Sequence, residues 1–196
     1  MASREDILAA LRKSAPPELP LPEPPSTGLE FADPVAQFCL AMKEVGGSAV
    51  RLASASLLDA ELARIPAFRE AKKIASCVPG VSRANVDLGA ITDPHQLADV
   101  DFAVVPGELG VAENGAVWVL EARVHPRAVA FLAQHLAVVL PADAIVHNQH
   151  QACARVSVGE AGFSMWLSGP SKTADIEQAL VIGAHGPRSC TAFVVG

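Results

Sequence analysis

A loop near the C-terminus, residues 167–175, has the composition of an anion-binding segment. Its small, hydroxyl and cationic residues are Ser168, Gly169, Ser171, Lys172 and Thr173. The loop follows an apolar strand and is predicted to open a helix, whose first backbone N–H groups would suit a phosphate or carboxylate. Hydroxyl groups at a helix start also act as caps, so a capping role for Ser171 or Thr173 is the alternative. Two glycines of a P-loop are absent, which disfavours nucleotide hydrolysis.

A second loop, residues 106–115, carries a carboxylate in a glycine-flanked turn. Glu113, Asn114 and Gly115 end this loop and lead into an apolar strand. A carboxylate there can act as nucleophile or general base if its surroundings tune its pKa. Asn-Gly is also a common hairpin turn, since it readily adopts positive φ. The residues alone favour the turn, and Glu108 nearby is expected to be solvated.

Histidines offer two further positions for ligand contacts. His147 and His150 would share one face of a helix, but no carboxylate or cysteine motif follows at a metal-ligand spacing, so no metal site is predicted. His185 lies where a predicted helix ends and a turn begins. It either interacts with the helix dipole or contacts a ligand at the mouth of the site.

Helices and strands alternate around these loops. A helix capped by Ser3 and a proline-rich tether are predicted to occupy residues 1–30, and the folded domain residues 31–196. Within this domain we predict helices over 34–45, 56–64, 127–135, 148–156 and 173–182, and strands over 48–52, 73–78, 102–105, 115–120, 136–140, 163–167 and 191–195. Several strands are continuously apolar, which is typical of strands covered on both faces. The pattern predicts a three-layer α/β domain with a mainly parallel sheet, in which ligands bind beyond the carboxyl ends of the strands.

The composition excludes several classes of function. The 196 residues carry a net charge of −6, and 51% are hydrophobic, which excludes a disordered acidic tail. An acidic chain with 5% aromatic residues is poorly suited to binding nucleic acid through phosphates or stacked bases. No apolar run approaches the roughly 18 residues of a membrane span, and the first residues are acidic where a signal peptide is apolar. A cytoplasmic protein is expected.

The four cysteines are far apart in the sequence. Cys39, Cys77, Cys153 and Cys190 form no Cys-x-x-Cys pair. Because zinc and iron–sulfur sites need thiolates grouped on short loops, no cofactor is predicted to bind to this chain. Free thiols in a reducing compartment are expected.

Both loops resemble motifs of the LUD (lactate utilization) domain family, formerly DUF162. Residues 168–177 and 183–188 are similar to its C-terminal signature, and residues 101–117 to its central motif, in which Thr-Gly usually follows Ala-Glu. The resemblance covers about residues 31–196, and the N-terminal helix and tether resemble the opening of the family's C-type members. It implies a fold like that of the NagB/RpiA/CoA-transferase superfamily.

The resemblance also implies a function in the oxidation of L-lactate to pyruvate. Two partner proteins would carry the iron–sulfur clusters, and this chain would be a subunit or accessory without cluster cysteines. Whether it performs a bond-making step itself, and whether it forms a homo-oligomer, stay open.

Two alternatives follow from the same loops. Class I CoA transferases of the superfamily form a thioester on the glutamate of a Glu-Asn-Gly motif, and Glu113-Asn114-Gly115 reproduces that triplet. Glu113 is thus the candidate catalytic residue of an enzyme acting on an acyl, CoA or sugar-phosphate substrate. The other alternative is a sensor module that binds a carboxylate or phosphate through Ser168, Gly169, Ser171, Lys172 and Thr173, with Asn114, Gly115 and His185 as further ligand contacts.

Overall fold

We analysed the protein as a computed structural model that describes residues 3–16, 19–20, 22, 28–157, 162–173 and 180–196. The helices are α1 (Arg4–Ser14), α2 (Pro34–Glu44), α3 (Leu58–Leu62), α4 (Pro66–Glu70), α5 (Val129–Leu132) and α6 (Gln149–Cys153). The strands are β1 (Ser48–Leu52), β2 (Ile74–Ser76), β3 (Phe102–Pro106), β4 (Leu109–Val111), β5 (Val117–Leu120), β6 (His135–Pro141), β7 (Ile145–Val146), β8 (Ser164–Leu167), β9 (Lys172–Thr173), β10 (Val181–Ile182) and β11 (Ser189–Val195).

A five-stranded parallel sheet forms the centre of the fold. Its strand order is β1-β11-β6-β3-β2, and every neighbouring pair is parallel. Successive side chains of a strand point to opposite faces. Ala103 and Val105 of β3 pack in the core with Phe38 of α2, whereas Phe102 and Val104 pack in a second core with α3 and α4. Helices on both faces of a mainly parallel sheet confirm the predicted three-layer α/β fold.

A second sheet was not predicted. Its strand order is β7-β4-β5-β8, in which β4 pairs antiparallel with β5, β5 antiparallel with β8, and β4 parallel with β7. Trp118 and Trp166 lie opposite each other on β5 and β8, with ring centroids 4.7 Å apart. Strands β4 and β7 contain only three and two residues, too few to show an alternating pattern in the sequence.

Two predicted helices are wrong in part. The helix over 127–135 is reduced to α5, because His135 begins β6, which pairs with both β3 and β11. The helix over 173–182 is absent at both ends, since Thr173 pairs with Val181 in the antiparallel hairpin of β9 and β10. Residues 174–179, in the middle of that predicted helix, lie outside the described residues. Within the described residues, the loop at 167–175 therefore leads into the strand Lys172–Thr173, and no helix starts there to be capped or to bind an anion.

The N-terminal helix is present and stands apart from the core. Ser3 and Asp6 form a capping box at the start of α1, and no residue of α1 is buried. Residues 17–18, 21 and 23–27 of the predicted tether lie outside the described residues. The chain is then anchored at Leu29, whose carbonyl accepts a hydrogen bond from Asn148 Nδ2 at 3.0 Å. Within the described ranges, no helix is long and apolar enough to cross a membrane.

Candidate functional site

The hairpin turn between β4 and β5 holds the Glu-Asn-Gly triplet. Gly115 has a φ of +67° and donates its N–H to the carbonyl of Val111 at 2.9 Å. Asn114 Oδ1 accepts the N–H of Ala116 at 3.0 Å. These bonds form the tight turn that the Asn-Gly pair predicted.

Glu113 holds this turn against α6. Its exposed carboxylate accepts the N–H of Gln149, the first residue of α6, at 3.0 Å, and Asn114 Nδ2 donates to Gln149 Oε1 at 3.2 Å. Asn148 caps the same helix start by accepting the N–H of Gln151. A carboxylate at a helix start is favourable because free N–H groups point toward it. The contacts of Glu113 thus account for a structural role.

Five of the predicted site residues line one cavity of about 300 Å³, which we call the loop cavity. They are Ser168, Gly169, Ser171, Lys172 and His185. The apolar part of its lining includes Phe131, Leu136, Met165 and Leu167. The two halves of the C-terminal motif, separated by the β9–β10 hairpin, are therefore brought together. Thr173 is paired within that hairpin and is not among the lining residues.

Hydrogen bonds fix the walls of the loop cavity to neighbouring elements. The ammonium group of Lys172 donates to the carbonyl of Val45, the C-cap of α2, at 2.6 Å. A cation is favourable at a helix C-terminus, where carbonyl groups lack partners. Ser168 Oγ donates to the carbonyl of Asn114 at 2.9 Å, which connects the cavity to the hairpin turn. The two loops singled out from the sequence are thus in direct contact.

The loop cavity presents binding groups beside an apolar wall. The hydroxyl of Ser171, the imidazole of His185 and the ammonium group of Lys172, which has three donors, can bind a small carboxylate or phosphate. Among the described lining residues, no hydrogen bond joins one side chain to another. The arrangement therefore suits ligand binding better than attack by a base-activated nucleophile.

Sequence reasoning missed the apolar wall of this cavity. Phe131 and Met165 come from α5 and β8, distant elements that meet only in the folded chain. Phe131 is 44% exposed, and a large apolar side chain that is exposed beside a cavity indicates a binding surface. This indication is visible only in the structure. Apolar residues carry no chemical signature in a sequence, so this part of the site required the fold.

The histidines and cysteines are scattered over the described part of the chain. His147 Nδ1 accepts the N–H of Phe31 at 3.0 Å, so this ring nitrogen helps to anchor residues 29–31. No group of three or more His, Cys, Asp or Glu side chains is placed to hold a metal ion, as far as the described residues show. All four thiols are free, and burial raises the pKa of the Cys190 thiol to about 12.

Comparison with known proteins places these motifs in a family. The model of the LUD domain matches residues 87–195, a range that contains both the hairpin turn and the lining segments of the loop cavity around Ser168 and His185. Lactate utilization protein C of Shouchella clausii is 30% identical over 106 residues, covering 52% of this chain and 46% of that protein. Lactate utilization protein C of Geobacillus kaustophilus is 29% identical over 123 residues, covering 60% and 48%. The chain spans about half the length of the curated relatives it matches.

A solved structure shares the fold. The crystal structure of a DUF162 family protein from Deinococcus radiodurans superimposes on this chain with a TM-score of 0.67 at 19% identity. The match covers 86% of this chain and 100% of that one. At this identity, the similarity shows that the two chains share a fold.

Proposed function

The chain belongs to the LUD domain family, and on that basis we propose that it is a component of L-lactate utilization. Relatives from several bacteria bear the name lactate utilization protein C. The observation that carries the proposal is the loop cavity. Its polar lining residues lie within the range that matches the family, and the fold places them around one small, partly apolar cavity. Such a space suits a small carboxylate.

Iron–sulfur proteins are the proposed partners. Oxidation of L-lactate to pyruvate removes two electrons and two protons, and an electron acceptor must take the electrons. The family resemblance implies that clusters in partner proteins accept these electrons. The separation of Cys39, Cys77, Cys153 and Cys190 supports that assignment, since clusters are held by grouped thiolates. This chain would contribute binding of the carboxylate, with Lys172 and His185 as its contacts.

Growth of a deletion strain tests the proposal. In a host without another lactate dehydrogenase, deletion of the gene is expected to abolish growth on L-lactate and to leave growth on pyruvate unchanged. Pyruvate is the control because it enters metabolism after the proposed step. Normal growth of the deletion strain on L-lactate would refute the proposed function.

A pair of lysine variants tests the role of the loop cavity in the same strain. Lys172→Gln is expected to slow growth on L-lactate several-fold, because the ammonium group in the cavity is removed. Lys43→Gln is the matched control, since Lys43 is exposed in the last turn of α2 and is not among the residues that line the cavity. Immunoblots must show equal amounts of both variants. Equal growth of the two strains would exclude a role for the Lys172 cation.

A further inference from the structure

A second cavity lies at the carboxyl edge of the parallel sheet, away from the residues used above. It encloses about 300 Å³, and we call it the edge cavity. The ends of all five strands of this sheet, or the segments that follow them, line it, with representatives Cys77 after β2, Gly107 after β3, Pro141 of β6, Val195 of β11 and Ala55 after β1. In open parallel α/β sheets, ligands bind outside the carboxyl ends of the strands. The edge cavity therefore occupies the position that this fold favours for a ligand.

The walls of the edge cavity are mainly apolar. Val78, Val139, Leu140 and Val195 contribute aliphatic side chains, and three prolines contribute ring carbons. Its size is at the lower end of the roughly 300 to 1,000 Å³ typical of small-molecule sites. Such walls favour a ligand with an apolar portion.

One ion pair supplies the charge at this cavity. Arg123 ends the 3₁₀ helix Glu121–Arg123, and its Nη1 donates to Glu108 Oε1 at 2.8 Å. The Arg123 side chain is 59% exposed, and among the described residues it makes no other hydrogen bond. A guanidinium group has five N–H donors. Arg123 can therefore bind a ligand carboxylate beside Glu108, or bind it in place of Glu108.

We propose that the edge cavity binds a monocarboxylate with an apolar tail, whose carboxylate pairs with Arg123 and whose tail lies against Val139 and Val195. This ligand class is distinct from the small carboxylate assigned to the loop cavity. Glu108 orients the guanidinium group when the cavity is empty and competes with the ligand for it. The assignment follows from one exposed cation, paired with Glu108, at the rim of a mainly apolar space.

Calorimetric titration of the full chain with hexanoate and hexanol tests the charge requirement. The two probes share the same tail, so they differ in the group that would meet Arg123. Hexanoate is expected to bind at one saturable site and hexanol about tenfold more weakly, since hydrogen bonds to charged groups contribute that much. Hexanol binding as tightly as hexanoate, or no saturable binding of hexanoate, would overturn the proposal.

Variants of the ion pair give effects of opposite sign. Arg123→Gln is expected to weaken hexanoate binding about tenfold, whereas Glu108→Gln is expected to strengthen it because the competing carboxylate is removed. Arg127→Gln is the matched control, since Arg127 is also exposed and paired, with Glu121 at 2.9 Å, but does not line the cavity. Equal losses in Arg123→Gln and Arg127→Gln would overturn the assignment.

Alkylation of Cys77 reports the location of the bound probe. The Cys77 thiol is half-buried in the cavity wall, whereas Cys153 is exposed and is not among the lining residues. Hexanoate at saturation is expected to slow iodoacetamide labelling of Cys77 and not of Cys153, measured by mass spectrometry. Unchanged labelling of Cys77 with bound hexanoate would place the ligand elsewhere and overturn the proposal.

Discussion

Gly115 fixes how closely the hairpin turn approaches α2. Its φ is +67°, and a Cβ atom at this position would lie 2.9 Å from the backbone nitrogen of Met42. The loop that carries Glu113 can pack directly on the helix only because position 115 has no side chain. Gly80 provides a comparison, because its φ is +84° and a Cβ atom at this position would meet no other atom within 4 Å.

We expect Gly115→Ala to destabilise the protein more than Gly80→Ala. In both variants an alanine must adopt a left-handed backbone conformation, which lowers the free energy of unfolding by about 1 to 2 kcal/mol. Only Gly115→Ala also forces a side chain into the backbone of α2. Its loss should exceed that of Gly80→Ala by about 1 kcal/mol or more. Urea unfolding of both variants measures the difference, and equal losses would show that the turn does not pack on α2 as described.

Substitution of Glu113 separates a structural role in the turn from a role as a nucleophile. Glu113→Gln keeps an oxygen that can accept the N–H of Gln149, so the free energy of unfolding should change by less than about 1 kcal/mol. Growth on L-lactate of the complemented deletion strain should equal that of wild type. Loss of growth in this variant at wild-type protein levels, or a hydroxylamine-sensitive acyl adduct on Glu113, would instead support the CoA-transferase-like alternative.

At the scale of elements, Asp101 joins the starts of two neighbouring strands. It directly precedes β3, and its Oδ2 accepts the N–H of Lys72 at 2.7 Å and of Lys73 at 2.9 Å, just before β2. These backbone hydrogen bonds hold the pKa of the Asp101 carboxyl below its usual value. The carboxylate thereby stabilises the register of β2 on β3.

Asp101→Asn should lower the free energy of unfolding by about 1 kcal/mol at neutral pH, because a neutral amide is a weaker acceptor. Since the folded pKa is depressed, the contribution of Asp101 is present above its unfolded pKa of about 3.9 and is lost as the pH falls through the folded pKa. The difference between wild type and variant should therefore shrink below about pH 3.9. Urea unfolding across this range tests it, and a difference that does not vary with pH would contradict the role of the charge.

The helices and strands that are determined by local sequence signals were the ones that the sequence predicted. The Asp33 cap and Pro34 start α2, and residues 48–52 form β1 over the predicted range. The ends of the helix predicted over 173–182 form strands because Thr173 and Val181 pair with each other, which is a tertiary preference that propensity does not record. The second sheet joins the β4–β5 hairpin to β7 and β8, which are distant in the sequence, so the sequence did not reveal it.

The candidate site was predictable to the same extent. Ser168, Lys172 and His185 were singled out from residue types, and they line one cavity although no helix starts at Thr173. Their role as ligand contacts stays a prediction. Arg123 was missed because its contact with Glu108 exists only once the β4–β5 hairpin has folded. Glu108 was expected to be solvated, but its side chain is only 27% exposed and is paired.

At the scale of the whole molecule, the described part of the fold contains two separate cavities for which we propose ligands. The loop cavity contacts the hairpin turn and the end of α2, whereas the edge cavity lies beyond the carboxyl ends of the parallel strands. The first contains the residues that resemble the family's C-terminal signature, and the second has the position that the parallel sheet favours. The two cavities share no lining residue, so the ligand proposed for one would leave the other accessible.

Participation in L-lactate oxidation is tested most directly in an extract of the deletion strain. The rate of L-lactate-dependent reduction of an electron-accepting dye would be measured before and after addition of the purified protein. We predict that the deletion extract reduces the dye far more slowly than a wild-type extract, and that the added protein restores the rate. A deletion extract that oxidises L-lactate at the wild-type rate, unchanged by the added protein, would contradict the proposed function.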